Sequence, residues 1–125
     1  MTLTGLLGAL GVAMAAWSTH GLALVVPIEQ LPLALERAHA ATLHHMLHTL
    51  ALFGVALLSR QAPSAWLNAA GTLFVLGIAG FAGGIYGIRL LAGINEGPLI
   101  YIVPIGGTCL ILGWLALAVT GWRMA

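Results

Sequence analysis

Residues 97–122 read GPLIYIVPIGGTCLILGWLALAVTGW, twenty-six positions without a formal charge. A helix of about 20 apolar residues crosses a bilayer core of roughly 30 Å, so this stretch is long enough to span a membrane. In lipid the backbone N–H and C=O groups have no water to bond, and one segment can satisfy them only as a helix. Three further windows, 1–28, 38–59 and 61–88, are also uncharged. The charges fall around them, at Glu29, Glu36, Arg37, Arg60, Arg89, Glu96 and Arg123. No window alternates polar and apolar residues with a period of two, which excludes a transmembrane β-barrel.

Composition agrees with this reading. Of 125 residues, 61% are hydrophobic and 6% charged, against about a quarter charged in a soluble domain. Mean hydropathy is +1.07. So few charges cannot solvate a globule of this size, which excludes a soluble enzyme, a nucleic-acid binder and a disordered tail. The expected fold is all-α: one integral membrane domain over 1–125, a four-helix transmembrane bundle with spans near 3–20, 39–58, 66–88 and 99–121.

The connections are set by punctuation. Segment 21–38 mixes Pro27, Glu29, Pro32, Glu36 and Arg37 with Ile28, Leu31, Leu33 and Leu35, which predicts an interfacial segment. Residues 59–64 and 93–98 are short turns, the second marked by Gly93, Gly97 and Pro98. Ala13-Met14-Ala15 resembles a signal-peptidase site, but no basic stretch precedes it, so the segment reads as an uncleaved helix. An even number of spans puts both ends on one side. Basic residues tie, Arg60 and Arg123 against Arg37 and Arg89. The expectation is a multi-pass protein of the inner (plasma) membrane with both termini cytoplasmic. Cys109 is the sole cysteine and has no partner for a disulfide.

Seventeen glycines are many for so short a helical chain, and in lipid they let helix backbones approach closely. Two series have four-residue spacing: Gly5-Ala9-Ala13, and Ala79-Gly83-Gly87. Packing within one bundle is the simplest use. A self-association face, or a cleft for lipid, is the alternative. Trp17, Trp66 and Trp122 fit interfacial anchoring, with Trp114 deeper.

The histidines stand out. His39, His44, His45 and His48 lie at the start of the second span, and His20 ends the first. His44 and His48, at i and i+4, share a helix face, and His20 belongs to the same membrane side. Polar residues in a span face the bundle interior or a cavity. The cluster admits three readings. His20, His44 and His48 could bind a metal or haem; the histidines could relay protons; or His20 and His48 could hydrogen-bond to backbone carbonyls or Tyr86. No carboxylate or cysteine lies near them, and the chain contains no nucleophile elbow, phosphate loop or zinc-protease motif.

Several motifs, in order, resemble a known family. Ala15-Ala16-Trp17-Ser18-Thr19-His20-Gly21-Leu22 is similar to its "GAFGAHGL", and His45-Met46-Leu47-His48-Thr49-Leu50-Ala51-Leu52 to its "YQMYHALALL". Phe81-Ala82-Gly83-Gly84-Ile85-Tyr86 resembles "FSGSLY". Ile102-Val103-Pro104-Ile105-Gly106-Gly107 with Gly113-Trp114 resembles "TPIGG…GW". These belong to the domain of unknown function 423 family, the YgdD/YwdK-type small four-helix membrane proteins. The resemblance covers essentially the whole chain and departs from the pattern at Trp17-Ser18-Thr19, His44 and His45. It implies the architecture, a membrane location and a short set of positions: His20, His48, Tyr86, Pro104, Gly106 and Gly107. The family carries no established activity.

The expected function is a non-enzymatic accessory, assembly or lipid-associated component with a polar network of His20, His48 and Tyr86. A metal- or haem-binding protein and a small oligomeric transporter or channel are the alternatives. No cofactor is expected in the first case. The expected partners are membrane lipids and a second copy or another membrane protein, with no nucleic acid.

Overall fold

The computed structural model describes residues 1–125. Five helices run in order: α1 (Thr2–His20), α2 (Leu22–Val25), α3 (Leu31–Gln61), α4 (Ala65–Leu91) and α5 (Pro98–Met124). Four of them, α1, α3, α4 and α5, are long and apolar enough to cross a membrane. The short connections make successive spans run antiparallel. The fold is the expected all-helical membrane bundle.

Helix lengths differ. α1 has 19 residues, about 28 Å at 1.5 Å per residue, close to the roughly 30 Å bilayer core. α3 has 31 residues, or about 46 Å. It begins at Leu31, with Pro32 in its first turn where the missing N–H has no helical partner to lose. Residues 31–38, expected as part of an interfacial connection, are thus the first two turns of a spanning helix. Glu36 and Arg37 bounded the uncharged window, but a charge on a helix that has left the hydrocarbon core does not end it. Ser64 caps α4 by accepting the Leu67 N–H at 3.1 Å. Gly93 and Gly97, with φ of +65° and +88°, supply the left-handed residues that turn the chain from α4 into α5.

The closest contact joins α4 to α5. A Cβ on Gly106 would collide with the backbone of Gly80 and Phe81, and one on Gly80 would lie 2.9 Å from the Gly106 Cα. One on Gly113 would meet the Phe74 ring at 2.7 Å. The glycines that mesh are therefore Gly77, Gly80 and Gly84 on α4 with Gly106 and Gly113 on α5. The series Ala79-Gly83-Gly87 is exposed instead, as are Gly5, Ala9 and Ala13 on α1. Residues Ile78–Ala82 and Ile85–Leu91 of α4 are π-helical. Each such turn takes in extra chain and rotates the residues beyond it, so simple four-residue spacing misassigns the face.

Two apolar clusters fill the bundle. One contains Ala34, Ala38, Ala41, Ala82, Ile85 and Leu90, and the other Leu52, Val55, Leu67, Phe74, Ile78 and Leu110. On α3 the buried residues between them are His45, His48 and Thr49, with His44 half-buried beside them. The core is thus interrupted at mid-bundle by a polar band.

Candidate functional site

His48 and His45 lie almost one turn apart on α3 and face different helices. His48 Nδ1 is 2.7 Å from the His44 carbonyl oxygen, and its Nε2 is 3.0 Å from Trp114 Nε1 on α5. An indole N–H can only donate, so Nε2 is the acceptor. The proton of the neutral ring therefore sits on Nδ1 and is donated to the carbonyl. Both nitrogens are in use, and the tautomer is fixed by its partners. The Phe74 ring packs beside both, 5.6 Å from His48 and 5.3 Å from Trp114 by ring centroids.

His44 is half-buried and presents its ring beside His48, with centroids 5.7 Å apart and planes 24° from parallel. The edge of Phe81 meets it at 5.1 Å. These rings, with Pro104, Gly107 and Trp114, wall a cleft of about 670 Å³ between α3, α4 and α5. Gly107 lines it, and a Cβ there would lie 3.5 Å from the Phe81 ring, in ordinary van der Waals contact. Leu47, Ile111 and Trp114 form an exposed rim, on the surface that acyl chains would cover. The chemistry available is that of an apolar slot with imidazole edges in one wall.

His45 is only 2% exposed, and neither ring nitrogen has a hydrogen-bond partner. It lies against α1, where Gly11 leaves room for it and for Met46. The Leu7 carbonyl is near but does not close a hydrogen bond. Tyr86 is 6.1 Å away by ring centroids. Its hydroxyl pairs with Thr42 at 3.1 Å, within the bundle and apart from His48.

The polar network expected from sequence is therefore divided. His48 joins Trp114, Tyr86 joins Thr42, and His20, exposed at the end of α1, joins neither. No group of three or more His, Cys, Asp or Glu side chains is placed to hold a metal ion, and the set His20, His44 and His48 does not assemble. The cause is the register of α1 on α3: Gly11 lies against His45 and Met46, and Ser18 and Thr19 lie beside Leu35 to His39, so His44 sits about two turns deeper in the bundle than His20. Of the other expected positions, Pro104 and Gly107 line the cleft, whereas Gly106 serves the α4–α5 contact. Sequence reasoning missed Trp114 as a partner and His45 as the buried orphan. The signals available were the depth of an indole N–H in an apolar span, and the position of His45 off the His44–His48 face.

Comparison with known proteins agrees with this architecture. The family described as protein of unknown function DUF423 matches residues 14–107. A UPF0382 membrane protein of Haemophilus influenzae is 31% identical, covering 94% of this chain and 89% of its own. One from Schizosaccharomyces pombe is 34% identical over 91% of this chain and 93% of its own. The Bacillus subtilis UPF0382 membrane protein YwdK is 32% identical over 88% and 85%. No solved structure matches the chain. With three quarters of its length matched and relatives similar over most of theirs, this chain belongs to the DUF423 family of membrane proteins, whose activity is uncharacterised.

Proposed function

We propose that the protein is a non-enzymatic, lipid-associated component of the inner membrane that holds the apolar part of a lipid-like molecule in the cleft beside His44 and His48. One observation carries this reading: an apolar slot of about 670 Å³ opens towards the lipid phase, with the His44 ring in its wall. Such sites combine apolar lining with a few polar groups that fix orientation. His48, fully engaged with Trp114 and the His44 carbonyl, holds the wall rigid. His44 makes no side-chain hydrogen bond within the bundle and is free to address a polar atom of the guest. Four spans put both termini on one side of the membrane, and in this reading that side is the cytoplasmic one. Self-association would use the exposed small-residue stripe Gly5-Ala9-Ala13 of α1.

The test is mass spectrometry of lipids retained by protein purified gently from its native membrane, together with optical and elemental analysis. The expected result is one co-purifying lipid species, lost when the cleft is filled by Gly107→Leu and reduced by His44→Leu. A stoichiometric metal or a haem spectrum would replace this reading with the metal or haem alternative. Lipids retained equally by Gly107→Leu would overturn it.

A further inference from the structure

A second polar region lies at the N-terminal end of α3. Arg37 comes from the second turn of α3 and Arg89 from the last turn of α4, yet both guanidinium groups aim at one atom. Arg37 Nη1 donates to Asn95 Oδ1 at 2.8 Å, and Arg89 Nη1 lies 3.5 Å from the same oxygen and 3.4 Å from the Asn95 carbonyl. Two like charges held within roughly 6 Å of one another repel, and a neutral carboxamide offsets little of that. Glu29, Glu36 and Glu96 all belong to this end of the bundle, but none forms an ion pair with either arginine. A cavity of about 550 Å³ opens beside the pair, bounded by Val26, Pro27 and Gln30 before α3 and by Ala92 and Gly93 after α4. Apolar Leu33, Leu90 and Leu91 complete it on the membrane side.

We propose that Arg37 and Arg89 form a binding site for a phosphate group at this membrane face, with Asn95 holding the two guanidinium forks in register while the site is empty. Phosphate suits it because it offers several charged oxygens at once, and paired arginines bind these by parallel N–H···O bonds. The source is either the headgroup phosphate of a lipid or a free phosphate anion. The proposal does not depend on the mid-bundle cleft, which shares no residue with this cavity.

The experiment uses the detergent-solubilised full chain, titrated separately with dioctanoyl phosphatidylglycerol, with dioctanoylglycerol (which lacks the phosphate) and with inorganic phosphate, and read by calorimetry and native mass spectrometry. One equivalent of phosphatidylglycerol should bind, and Arg37→Gln or Arg89→Gln should each weaken it by about tenfold or more, the usual loss of a charged hydrogen bond. Arg60→Gln, at the opposite end, should leave binding unchanged. Arg89→Lys, which keeps the charge but not the fork, should fall between. Displacement of the lipid by inorganic phosphate would identify a free-anion site, and resistance to it a headgroup site. Binding of dioctanoylglycerol as tight as that of phosphatidylglycerol, no binding of any phosphate compound, or an equal loss in Arg60→Gln would overturn the proposal. Thermal melting of each variant separates lost binding from lost folding.

Discussion

Two histidines three residues apart on α3 are buried in opposite ways. His48 faces α5, and both its nitrogens are bonded. His45 faces α1, and neither is. The neighbouring helices explain the difference. On the α5 side, glycines press α4 and α5 together at backbone distance, which fixes where Trp114 sits and gives His48 a partner. On the α1 side the contact is made by Met46, a flexible side chain over Gly11, and α1 offers no side-chain donor to the ring. A polar group in a membrane bundle is satisfied where the surrounding helices are held to a tight tolerance. Where the packing is soft, it is left over.

The sharpest way to break this contrast is Gly106→Ala. Its methyl has no space between the two backbones, so α4 and α5 must separate, at a cost of about 3 kcal/mol, the upper range for overpacking. Thermal unfolding in detergent would measure the loss. A melting temperature equal to wild type would show that the glycine mesh does not set the geometry.

An intermediate effect is expected for the hydrogen bond itself. Trp114→Phe and His48→Leu should each destabilise, and the double-mutant cycle should return a coupling of about 1 kcal/mol, typical of interhelical hydrogen bonds in membranes. Additive losses would mean that the two residues do not support one another.

The smallest effect is expected at His45. Replacing an unpartnered buried imidazole with an apolar group of similar volume removes a desolvation cost, so His45→Leu should be neutral or stabilising by less than about 1 kcal/mol. The same melting experiment checks it. A clear loss of stability would show that His45 has a partner in the membrane, a bound water or ligand, and would erase the contrast with His48.

The sequence disclosed the number and approximate place of the spans because that information is one-dimensional. Windows between Arg37, Arg60, Arg89 and Glu96 need only be counted against the thickness of a bilayer. The start of α3 was less legible, because Glu36 and Arg37 mark where the hydrocarbon ends, not where the helix does. Pairing was not legible at all. Whether His48 meets Tyr86 or Trp114 depends on the rotation of three helices, and the π-helical turns of α4 alter that rotation without a marker in hydropathy. Hence Gly77, Gly80 and Gly84 mesh with α5, while the regularly spaced Ala79, Gly83 and Gly87 face outward. The convergence of Arg37 and Arg89 on Asn95 was hidden for the same reason.

Those π-helical turns also set the direction in which the end of α4 points. Returning one of them to α-helical pitch would displace a single residue and twist everything downstream by about 100°. Arg89 lies downstream of the first turn and inside the second, so such a twist would carry its guanidinium away from Arg37. The same twist would carry Gly84, which meshes with α5, out of its contact with Val103. The meeting of Arg89 with Arg37 at the membrane face thus depends on the pitch of the helix that carries it.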